Sequence, residues 1–364
     1  MKKLPATFVF GLSALAAIPG FSAPRSHIDI VGSSTVYPFS TVVAETYGKK
    51  TGQKTPKIES TGTGGGMKLF CAGNGINTPD ITNASRRIKK SEFDNCQTNG
   101  VKDIIEVQIG YDGIAIANTK TAPAFTLTRK DIFLALAKKV PGSTEGELIE
   151  NPYKTWKQVN PVLPDTKIEV LGPPPTSGTR DAFAELAMEG GCKTVPWIKQ
   201  LKADSKAAKK AGDKDKAKAL KSQYKEICHT VREDGAYIEA GENDNLIVDK
   251  LVANPKALGV FGYSFLDQNS DKVQGAKVDG VDVSFEAIAD GSYPVSRPLY
   301  FYVKKDHVGK VPGIAEFVAE FTSEDTWGDE GYLTDKGLIP LPLFKRTQVG
   351  GAANGMVPLV LEAE

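Results

Sequence analysis

The chain has 364 residues, 40% of them hydrophobic, enough for one large core or two ordinary ones, and the length favours two. Its 45 Lys and Arg against 44 Asp and Glu leave a net charge of +1, so nothing global points to nucleic acid or to an anionic membrane. Any charge logic must be local.

In chain order, Lys2 and Lys3 precede an apolar run from Phe8 to Ala17, then Pro19, Gly20 and small residues to Ala23. This is the pattern of a secretory signal peptide, assigned to residues 1–25, with cleavage between Ala16 and Ser26 and Pro24 disfavouring a cut directly after Ala23. The run is too short for a comfortable membrane span, and no later segment supplies one. The first cysteine is Cys71, so no thiol near the signal's end can carry a lipid, and the mature chain is expected to be soluble and exported.

Ile28 to Val31 reads as a strand, followed by a turn at Gly32 and a helix with Phe39, Val42, Val43 and Tyr47 at helical spacing, ending at Gly48. Pro56 to Ser60 is a second strand, and Met67, Leu69 and Phe70 mark a short helix. A third strand, Pro79 to Thr82, leads to a helix near Ser91. Strands alternating with helices predict a mostly parallel sheet. The run from Ile104 to Ala117 is long and strand-like, with Gly110 and Gly113 allowing a bend, so it can cross between lobes. Helical patterns follow from Thr128 to Lys139 and around Trp156. The strand Ile168 to Leu171 precedes a helix over 179–189, and further strands lie at 257–263 and 299–303, with an amphipathic helix from Ile314 to Phe321. Between Lys199 and Lys225, ten lysines stand against three aspartates, which predicts a solvated helical insertion (199–225) that Gly212 interrupts.

Four cysteines in an exported chain predict two disulfides. Of three pairings, Cys71 with Cys96 and Cys192 with Cys228 is preferred, because each closes a fairly local loop. No metal is expected: there is no Cys-x-x-Cys, and His27, His229 and His307 lie far apart, each read as a surface residue.

Three stretches rich in glycine and hydroxyls stand where helices begin: Gly32-Ser33-Ser34-Thr35, Thr61-Gly62-Thr63-Gly64-Gly65-Gly66 and Thr176-Ser177-Gly178-Thr179-Arg180-Asp181. Helix starts leave amides without partners and favour negative charge, glycine lets the backbone approach closely, and hydroxyls add donors. Each alone is an ordinary cap or turn. Together, with Arg180, they predict a site for a small oxyanion. Ser34, Thr35, Thr63, Ser85, Ser177 and Thr179 supply hydroxyls, amides at Thr35, Gly64 and Thr179 add donors, and Arg180 supplies a planar cationic fork. Affinity of about micromolar or tighter is expected, roughly −8 kcal/mol or better.

These segments, with Ile81-Thr82-Asn83-Ala84-Ser85-Arg86 and the stretch Asp234 to Asn245, resemble the signature segments of phosphate-binding proteins of the phosphate-specific ABC transporter, over residues 28 to 345. The resemblance implies an α/β fold: a two-lobed type II periplasmic binding protein, each lobe a mixed, mostly parallel sheet flanked by helices, joined by two crossover strands. Lobe I would take residues 26–110 and 265–350, lobe II 111–264 with the insertion, and 351–364 would form a C-terminal tail. It implies periplasmic capture of inorganic phosphate in the cleft between lobes and delivery to an inner-membrane ABC permease by a monomer without cofactor. The family's phosphate donors fall on Ser34, Thr35, Val36, Thr63, Ser177, Gly178, Thr179 and Arg180. One departure bears on selectivity. Many members place an aspartate after the third strand to accept the proton of HPO4; here Asn83 and Ser85 stand there, so Asn83, Glu242, Asp234 or a backbone carbonyl must serve, Asp112 being a further candidate whose expected role is to cap the bend near Gly113.

A secreted phosphatase-like hydrolase is the rival reading, and a binder of another tetrahedral oxyanion a second. The chain has no Gly-x-Ser-x-Gly elbow, Walker Gly-Lys-Ser/Thr or His-Glu-x-x-His, so no catalytic residue is assigned. A surface adhesion protein using the lysine-rich helix is a third reading.

Overall fold

The structure is a computed structural model that describes residues 25–241 and 244–361. The expected signal peptide, save its last residue Arg25, lies outside the described residues, as does Glu242. Among the described residues no helix is long and apolar enough to cross a membrane.

Nine strands form one curled, mixed sheet: β1 (Asp29–Gly32), β2 (Lys57–Ser60), β3 (Ile81–Ala84), β4 (Ile104–Thr119), β5 (Val170–Gly172), β6 (Tyr237–Glu239), β7 (Leu258–Gly262), β8 (Val273–Gly275) and β9 (Ser296–Lys304). Their order is β2-β1-β3-β9-β4-β7-β5-β6, with β8 also on β4. Pairing is parallel among β1, β2 and β3 at one end and among β5, β6 and β7 at the other, while β4 and β9 run antiparallel between them. Each parallel group is a set of strand–loop–helix units, so its loops and helix starts open on the same end of its strands.

The 16-residue β4 belongs to both halves: residues 104–113 pair with β9, and 114–117 with β7. The bend sits at Gly110 (φ 155°), where the register against β9 shifts and a Cβ would stand 2.5 Å from the carbonyl oxygen of Ile339. Only glycine fits there. The first helix, α1 (Tyr37–Thr51), carries Pro38 in its first turn and buries Phe39, Val43 and Tyr47. It runs past the expected stop at Gly48, because that glycine serves close packing: a Cβ would lie 2.6 Å from Thr55 Oγ1. The left-handed cap falls at Gly52 instead.

The half carrying β1, β2 and β3 packs Ile30, Val43 and Tyr47 against Phe301, Phe317 and Phe321. The other centres on Phe133, Trp156, Phe183 and Val260. Burying each such side chain contributes about 1.5–3 kcal/mol before entropy is counted. Residues 273–295, expected in lobe I, pack with this second core: β8 pairs with β4, and Val278, Ile288, Tyr293 and Val295 are buried there. The excursion returns to β4 before the chain crosses, a long-range pairing with no local signal. At the C-terminus, Leu359 and Leu361 pack on a satellite cluster around Phe70 and Tyr302, so part of the expected tail is docked.

Both preferred disulfides form, Cys71–Cys96 and Cys192–Cys228. The lysine-rich insertion is not one helix but an antiparallel pair, Pro196–Lys210 and Lys214–His229, turned at Gly212 and capped by Asp213 accepting from the Lys216 amide. Cys192–Cys228 ties its base.

Behind β1 and β3 lies a buried ionic cluster. Asp80 accepts from Arg25 (2.6 Å), from the Asp29 amide (2.8 Å) and from His307 Nδ1 (2.6 Å), and His307 is fully buried rather than at the surface as expected. Lys304 donates to the Gly73 carbonyl and to Thr78 Oγ1. Burial pushes its ammonium down to about 8, with Asp80 opposing and Arg25 assisting. A lysine depressed in the folded state holds fewer protons there than when unfolded, so stability rises with pH between about 8 and the unfolded value near 10.5. Urea unfolding should therefore show about 1–2 kcal/mol gained between pH 7.5 and 9.5. Lys304→Met should flatten that rise; an unchanged slope would exclude Lys304 as its source.

Candidate functional site

A cleft of about 560 Å³ opens where the two halves face each other, lined among others by Ser34, Thr35, Asp112, Thr176, Ser177, Gly178, Thr179 and Lys336. It lies at the loop ends of the parallel strand groups, the place where open α/β sheets hold ligands.

The first loop is fixed by Gly32, at φ 130°, where a Cβ would lie 2.2 Å from the Asn83 carbonyl oxygen. That carbonyl accepts from the Ser33 amide, and the loop turns into α1 through Tyr37 N–H donating to the Ser33 carbonyl. The amides of Ser34 and Thr35 have no protein partner among the described residues. They are the orphan donors of a helix start, standing in the cleft wall. Opposite, Ser177 caps the short helix Gly178–Phe183 by accepting from the Thr179 amide at 3.2 Å. A hydroxyl whose oxygen accepts in this way keeps its proton for another acceptor. The two loops approach closely: a Cβ on Gly178 would lie 3.8 Å from the Ser34 carbonyl oxygen and from Thr35 Cα.

The predicted residues thus divide. Ser34, Thr35, Ser177, Gly178 and Thr179 line one cleft. Thr63 and Ser85 bond to each other, hydroxyl to hydroxyl at 3.1 Å and Ser85 amide to Thr63 Oγ1 at 3.0 Å, and do not line it. Asn83 is buried, its side-chain oxygen accepting from the Ser40 hydroxyl inside its own half. Val36 is wholly buried in the core. Asp234 is held well below the usual carboxylate range by Arg232 and Lys154, in an ion pair away from the cleft lining.

Arg180 follows the last cleft-lining residue of its loop. Its guanidinium lies 4.1 Å from the centroid of the Tyr237 ring, and its Nη1 is buried with no hydrogen-bond partner among the described residues. A buried cationic donor left unpaired is costly.

The residue that sequence reasoning missed is Arg297, 8% exposed, at the start of β9. Its Nε donates to Asp112 Oδ2 (3.2 Å), its Nη1 to Glu185 Oε2 (2.7 Å) and its Nη2 to Thr35 Oγ1 (2.6 Å). Burial pushes the Asp112 carboxyl up, the Arg297 charge opposes this and Glu185 adds to it. Asp112 Oδ1 has no protein partner among the described residues and belongs to a cleft-lining side chain. The available signal was a lone arginine next to a strand run that is apolar from Pro298 to Val303. Among the described residues, no group of three or more His, Cys, Asp or Glu is placed to hold a metal.

Residues 20–325 match the PBP superfamily domain. The phosphate-binding protein PstS of Staphylococcus haemolyticus is 31% identical over 310 residues, 83% of this chain and 79% of that protein. Protein SphX of Synechococcus elongatus is 28% identical over 337 residues, 91% and 82%. The crystal structure of a possible phosphate binding protein from Planctomyces limnophilus superposes with a TM-score of 0.67 at 25% identity, covering 91% of this chain and 98% of that one.

Proposed function

The chain belongs to the PBP superfamily, its fold is the two-lobed type II form, and from that premise we propose that it binds inorganic phosphate in the inter-lobe cleft and delivers it to a membrane ABC permease. One observation carries the reading most: amides and hydroxyls from both halves line a single cleft, with Ser34 and Thr35 on one wall and Ser177, Gly178 and Thr179 on the other. Neutral donors suit an ion that must be bound and then released. The two walls already meet, with Gly178 against Thr35 and Glu185 of one half holding Arg297 of the other.

The phosphate site comprises Ser34, Thr35, Ser177, Gly178, Thr179 and Arg180, with Thr63 and Ser85 shaping the neighbouring loops. Asp112 Oδ1 is the proton acceptor. The carboxylate accepts the P–OH that phosphate carries near neutral pH, while sulfate offers it only lone pairs. The protein is exported to the periplasm, works as a monomer and is a receptor rather than an enzyme.

Calorimetry on the mature protein tests this. One phosphate per chain at about micromolar affinity or tighter is expected, with no turnover of a chromogenic phosphomonoester. Turnover lost in Ser34→Ala would favour the hydrolase reading instead.

A further inference from the structure

We propose that Arg297 is the positioning residue of the cleft, a latch that fixes Thr35 as a donor and Asp112 as an acceptor and ties both to the far lobe through Glu185. The inference rests on the phosphate reading and says how that site sets its polarity and couples it to closure.

All three guanidinium nitrogens are engaged, each by a different element. Thr35 lies in the loop between β1 and α1, Asp112 in the crossing strand β4, and Glu185 in the π-helical turn Ala184–Met188, whose Ala187 and Met188 pack in the second core. Arg297 and Asp112 are direct partners in the β4–β9 register, where the chain passes between halves. The hydrogen-bond logic follows from donor inventory. Arginine only donates, so the Thr35 oxygen accepts from it and the hydroxyl proton must go elsewhere. Thr35 lines the cleft, so that proton is available to an oxyanion. By the same rule Arg297 holds Oδ2 of Asp112, and Oδ1 remains to accept. One buried cation thus assigns opposite roles to two groups on the same wall.

The Glu185 arm adds the coupling. Glu185 is half exposed, yet it is the contact through which a lobe II helix holds the same guanidinium that orients Thr35. Opening the halves at β4 and β9 must stretch or break this bond, releasing Arg297 and loosening Thr35. Ligand binding and closure then stabilise each other.

The test is a double-mutant cycle read by phosphate calorimetry, with thermal unfolding of each variant. Arg297→Gln and Thr35→Val should each weaken phosphate by about 10- to 100-fold, the range for losing a charge-assisted hydrogen bond. Because Arg297 acts through Thr35, the double variant should be no more than about threefold weaker than the worse single one. Effects that multiply would overturn the latch. Should Arg297→Gln fail to fold, Glu185→Gln decides: phosphate release should quicken about tenfold with association unchanged, and spin labels on the two lobes should report a more open ligand-bound population. Unchanged release and distances would overturn the lobe coupling. Wild-type protein giving no heat with phosphate would overturn the phosphate reading itself, whereas binding by the wild type with multiplying variants would sink the latch alone.

Discussion

Phosphate should outbind sulfate by about 10⁴-fold or more at pH 8, and Asp112→Asn should bring the two within about 100-fold. The argument is one of polarity. In the wild type, Asp112 presents Oδ1 to the cleft while Arg297 holds Oδ2. An asparagine there turns its carbonyl oxygen to Arg297, because that guanidinium can only donate, and so aims its NH₂ at the ligand. An acceptor becomes a donor, which suits sulfate as well as phosphate.

The same reasoning gives a pH dependence with a definite sign. Burial, with Glu185 assisting and Arg297 opposing, raises the Asp112 carboxyl above its ordinary range. As pH falls through that raised value the group gains a proton and turns into a donor, so sulfate affinity should climb and the phosphate preference shrink. In Asp112→Asn that dependence should vanish. Competition calorimetry from pH 8 downward reads both effects, and a wild-type dependence no different from that of Asp112→Asn would remove Asp112 from the role.

Arg180→Ala should weaken phosphate by about 100- to 1000-fold, while Lys209→Ala stays within about twofold. Both changes delete one positive charge, so they separate a placed guanidinium from general attraction. Arg180 lies over the Tyr237 ring, and its Nη1 is buried with no partner among the described residues. Supplying that partner is what an anion would do, and truncation removes the interaction together with the fixed geometry. Lys209 stands exposed on the helical hairpin, where a single charge is screened within about 8–10 Å at physiological salt. Equal losses in the two variants would reduce the role of Arg180 to net charge.

Much of this was legible along the chain because the relevant physics is local. A strand, a glycine turn and a hydroxyl-rich helix start are contiguous in sequence, so the walls at Ser34–Thr35 and Ser177–Thr179 could be named before any fold was known. The long crossing strand was legible for the same reason: apolar runs with Gly110 at the bend. The disulfides followed from loop length. What stayed hidden depends on register across great sequence separation. Arg297 meets Asp112 only because β9 pairs with β4 at that position, and neither neighbourhood announces the other. Thr63 sits in a motif of the same composition, but its hydroxyl bonds to Ser85 and it is not among the cleft-lining residues, a placement that composition alone does not reveal. The lysine run read as an exposed helical insertion broken at Gly212, which holds; that the two pieces fold back antiparallel is not carried by charge patterning.

Co-crystallisation with phosphate tests the central claim most directly. The expected result is one anion held at the same time by Ser34 or Thr35 from one half and by Ser177, Gly178 or Thr179 from the other, with the halves closed on it. An anion held by one wall alone, or halves that stand apart at saturating phosphate, would contradict it.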